Sequence, residues 1–68
     1  MRMGYSIEYS RKQERNSFGS LKIRKAVCSK EKLAEMMQSD SFIIWNANLC
    51  DMDEYLMNHS DTAIERIY

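Results

Sequence analysis

Residues 3 to 10 alternate without interruption, with Met3, Tyr5, Ile7 and Tyr9 on one parity and Gly4, Ser6, Glu8 and Ser10 on the other. A period of two puts each set on its own face of a strand, so this stretch commits the chain to a sheet with one apolar face turned inward. The segment that follows, Lys12 to Ser17, has no apolar residue, and Gly19 can supply a positive φ; together they read as a polar connection. Leu21 and Ile23 then alternate with Lys22 and Arg24, which predicts a second strand and an antiparallel hairpin. Ala26-Val27-Cys28 either ends that strand or bulges into the core. In this hairpin Glu8 is expected to pair across with Lys22 or Arg24.

Ser29 can accept a backbone N–H bond ahead of Lys30 to Met37, where Leu33, Met36 and Met37 share one face at helical spacing. The spacing predicts a short helix ending near Gln38 to Asp40. Lys32 stands where a capping box would place Glu or Gln, and two lysines in the first turn oppose the helix dipole. Phe42-Ile43-Ile44-Trp45 is apolar at four consecutive positions, so a third strand with two apolar faces is expected, central in the sheet or at an interface. Asp51 and Glu54 have the spacing of a capping box before Met52, Tyr55 and Leu56, which predicts a second helix over 52–58. Residues 62–68 read as a last strand in preference to a helix capped by Asp61. The order β-β-α-β-α-β predicts one α+β domain over 1–68, with a small, mostly antiparallel sheet and one or two short helices packed on one face.

A chain of 68 residues buries only roughly 60% of the surface its unfolded form exposes, which leaves little room for a deep cofactor cleft. With 44% hydrophobic residues, no Pro and two Gly, it is neither a linker nor a disordered segment. Phe42 to Trp45 is the longest apolar run, far short of the ~20 residues of a membrane span, and no apolar stretch follows Arg2 as in a secretory leader. The expectation is a cytoplasmic protein without membrane contact. Cys28 and Cys50 carry no CxxC spacing and are expected as two reduced, half-buried thiols.

The ten basic and ten acidic residues cancel, but not locally. Residues 1–32 hold nine bases and three acids, a net of plus six; residues 33–68 hold one base and seven acids, a net of minus six. Separation of the halves in space would give the molecule a basic and an acidic pole.

Catalytic signatures are sparse. His59 lies in a polar stretch with no nucleophile motif around it, and Gly4 and Gly19 alone cannot write a phosphate-binding loop. Asp51, Asp53 and Glu54 lack the spacing of a calcium loop, and Cys28, Cys50 and His59 lack the paired spacing of a zinc site; neither a metal nor a cofactor is expected. Two binding readings remain. The first is a non-enzymatic accessory or inhibitor module that binds a protein and self-associates as a dimer. Its interface would use Phe42, Ile44 and Trp45, or Ile43 with Trp45 depending on register, and the carboxylates Asp51, Asp53 and Glu54. The alternative is a nucleic-acid binder using Arg11, Lys12, Arg15, Lys22, Arg24 and Lys25 with Tyr5, Tyr9 and Phe18 nearby.

Overall fold

The computed structural model describes residues 2–68, and these form a four-stranded sheet and two helices. In chain order they are β1 (Met3–Arg11), β2 (Arg24–Cys28), α1 (Lys30–Gln38), β3 (Phe42–Asp51), α2 (Met52–Asn58) and β4 (Glu65–Ile67). The α+β class and the β-β-α-β-α-β order are those read from the sequence. The spatial order is β3-β1-β2-β4, with β1 antiparallel to both neighbours and β4 parallel to β2.

The alternation of β1 explains its central place. Ile7 and Tyr9 are buried on one face with Ala26 and Cys28 of β2, and Leu33 and Met36 of α1 close over them; Tyr5, Phe42, Ile44 and Ile67 complete this core. α1 is positioned by its cap, the Ser29 hydroxyl accepting from the Lys32 N–H at 3.2 Å. α2 begins at the predicted residue because the Asp51 carboxylate accepts from the Asp53 and Glu54 N–H groups. The helices divide between the faces, where the sequence reading expected them on one: α1 covers the Ile7 and Tyr9 face and α2 the Gly4 face. Buried Met52 of α2 fills the space directly over Gly4, on the face opposite Tyr5 and Ile7.

Three local expectations change. Leu21 and Ile23 lie outside β2: Leu21 makes an isolated bridge to Arg15 and Ile23 is 58% exposed. The hairpin turns slightly later than the alternation suggests, because Gly19 at φ 82 and the Asn16 carboxamide, which accepts from the Phe18 and Ser20 N–H groups, build a tight tip at 16–20. Glu8 consequently faces Lys25, not Lys22 or Arg24. The last strand is confined to three residues, Glu65–Ile67.

The largest correction concerns β3. It is an edge strand, not a central one. Its apolar run is accommodated differently at each residue: Phe42 and Ile44 turn into the core, whereas Trp45 sits at a bulge opposite the Glu8/Tyr9 step and is 53% exposed.

Candidate interaction surface

Five consecutive strand residues, Trp45 to Leu49, are exposed. The run lies beyond Phe42 and Ile44, the residues of β3 that pack toward α1, on the part of this edge strand that the helices leave open. Two bonds at the ends of the β1–β3 ladder set its direction: Lys12 N–H to Ser41 O at 2.9 Å and Met52 N–H to Arg2 O at 2.7 Å. Counting by twos from Met52, Cys50, Asn48 and Asn46 direct their backbone groups toward β1. Ala47, Leu49 and Asp51 therefore direct theirs to the open edge. Leu49, 63% exposed, stands on the same face as Tyr5 opposite it, while Trp45 lies on the other face with its indole N–H bonded to the buried Ser10 hydroxyl at 2.8 Å.

The two edges of the sheet differ in kind. β4 is three residues long and carries Glu65 and Arg66, a length and charge that discourage strand addition. β3 is ten residues long and holds no proline, lysine or arginine, with Asp51 its only charge. Of the residues expected at an interface, Phe42 and Ile44 are spent in the core and only Trp45 is free. Asp51, Asp53 and Glu54 cluster at the far end of β3, Asp51 engaged as helix cap and Asp53 3.5 Å from Arg2. Leu49 and Ala47 were missed because nothing in a local pattern says which strand lies outermost.

The basic residues do not act as one patch. Arg24 donates to Glu14 through Nε at 2.6 Å and to Glu65 through Nη1 at 2.9 Å, and Glu65 also accepts from the Tyr9 hydroxyl. Its guanidinium holds the Glu14 carboxyl below the usual range, while burial and then Glu65 push the Tyr9 hydroxyl up. Lys25 faces Glu8, and Arg15 donates to Gly19 O at 2.8 Å within the hairpin. Arg11, Lys12, Arg15 and Lys22 flank an arm whose tip presents Phe18, 91% exposed. Nor do the two charge halves separate cleanly, since Arg2 meets Asp53 and Arg24 bridges Glu14 and Glu65.

Cys50 and His59 line a shallow cleft beside α2 with Asp51, Glu54 and Tyr55. Burial holds the Cys50 thiol above its ordinary value, so the thiolate needed for nucleophilic chemistry is disfavoured. The His59 ring stacks on Tyr55 at 4.1 Å and its Nδ1 lies 2.9 Å from Tyr55 O. Cys28 belongs to the core on the opposite face of the sheet, so the two cysteines and His59 do not converge. Among the described residues no three His, Cys, Asp or Glu side chains are grouped to hold a metal, and no helix is long and apolar enough to cross a membrane. No protein-family model matches this chain, and comparison with curated proteins and with solved structures finds no match.

Proposed function

We propose that the protein is a small non-enzymatic interaction module that docks a protein partner by strand addition along β3. The observation that carries this reading is the exposed, uncharged run Trp45 to Leu49 on an open strand edge whose only charge is Asp51. Backbone groups of Ala47, Leu49 and Asp51 supply hydrogen bonds to an added strand, and the Leu49 side chain supplies an apolar contact beside them. Trp45, held by Ser10 yet half exposed, is the aromatic anchor.

Zero-length cross-linking of the tagged protein in extract, read by mass spectrometry, tests it. Partners cross-linked next to 45–51 should be lost in Leu49→Lys and retained in Arg15→Glu; the reverse pattern contradicts the reading. Phe18 favours the second reading, a nucleic-acid contact by the arm, because an almost fully exposed ring at the tip of an arm that carries Arg11, Lys12, Arg15 and Lys22 can stack on a base. That reading requires a mixed oligonucleotide pool to bind at low salt, to dissociate as salt rises, and to be lost in Phe18→Ala.

A further inference from the structure

We propose, resting on the docking reading above, that the strand added to β3 is β3 of a second copy, paired antiparallel about a two-fold axis. The two sheets then join into one, with the β3 strands at its centre.

Charge is the first argument. β3 runs from a basic end, where Arg11 is paired with Phe42 and Lys12 is bonded to Ser41, to an acidic end at Asp51, Asp53 and Glu54. Near the first end Glu14 is neutralised by Arg24 and Asp40 alone opposes the two bases, and near the second Arg2 alone opposes the three carboxylates. Antiparallel pairing of two identical strands brings the basic end of one copy beside the acidic end of the other, twice. Parallel pairing would instead set like ends together.

Geometry is the second. The bulge at Trp45 breaks the regular edge, so pairing is confined to the six residues Asn46 to Asp51, whose outward positions are Ala47, Leu49 and Asp51. A two-fold axis within this stretch sets the Leu49 side chain against Ala47 or Leu49 of the second copy, on one face of the joined sheet. The assembly stops at two, because a two-fold contact uses the same edge on both chains and the remaining edge is the short, charged β4. A chain of 68 residues also gains most from such pairing, since its own core is small.

Light scattering across a dilution series, at low and high salt, decides the matter. The wild-type mass should rise to twice 8.1 kDa with concentration and largely withstand salt, because backbone bonds and Leu49 carry the contact. Leu49→Lys should return the mass to 8.1 kDa while keeping a cooperative melt. Ala47→Pro removes only an outward-facing N–H and should do the same, which guards against a folding defect in the first variant. A wild-type mass of 8.1 kDa at every concentration, or a dimer that survives both substitutions, overturns self-pairing. If the monomer still cross-links a partner next to 45–51, the docking reading stands and only the second copy falls; if it does not, both fall.

Discussion

Tyr9→Ala should leave most of the chain unfolded at room temperature. Tyr9 is fully buried toward the end of β1, and its ring meets Phe42 of β3 edge-on at 5.9 Å while its hydroxyl donates to Glu65 of β4. Truncating a buried aromatic to alanine costs about 3–5 kcal/mol. A domain of this length has a total stability of about 3–10 kcal/mol, so the loss consumes most of it. Tyr9→Phe isolates the hydroxyl: the ring packing remains, Glu65 keeps its bond to Arg24, and the cost falls to about 1 kcal/mol. Urea unfolding followed by circular dichroism should therefore show no transition for the alanine variant and a shifted one for the phenylalanine variant. Similar midpoints for the two would mean that the ring does not hold β3 and β4 to the sheet.

Gly4→Ala is the second large effect. A Cβ at Gly4 would lie 2.5 Å from the Cys28 carbonyl oxygen and 2.5 Å from Met52 Sδ. The thioether can swing aside, but the carbonyl belongs to β2 and moves only with the ladder. Overpacking of this kind costs about 1–3 kcal/mol. The consequence reaches the interaction surface, because Met52 starts α2 and its N–H closes the β1–β3 ladder on Arg2 O. Pairing Gly4→Ala with Met52→Ala should give less than the sum of the two losses, since the smaller side chain removes one of the two clashes, yet it should not restore wild-type stability. Full additivity in urea unfolding would show that Met52 does not occupy the space over Gly4.

What the sequence makes legible is local. Ser29 and Asp51 mark both helix starts because a capping side chain acts within three residues of itself. The alternation of β1 marks its buried face for the same reason. The place of β3 is not local: Phe42, Ile44 and Trp45 look alike as apolar positions, yet pairing with β1 alone decides that two face α1 and the third falls on a bulge. The Tyr9–Glu65–Arg24–Glu14 network is silent in the sequence as well, since Tyr9 and Glu65 are 56 positions apart and Arg24 and Glu65 are 41 apart. It removed Arg24 from the basic patch and tied the short β4 to the core. The exposed run at 45–49 could be found only once the strand order was known, because Asn46, Ala47 and Asn48 carry no pattern of their own.

The central claim is that the open edge of β3 is the working surface. Residue-resolved amide hydrogen exchange, measured at the concentration where the protein associates, tests it most directly. The account predicts slow exchange at Ala47, Leu49 and Asp51, whose N–H groups have no partner strand within one chain, and fast exchange at the arm tip near Phe18. Fast exchange at those three amides in the associated protein, with protection appearing around Phe18 instead, would contradict it.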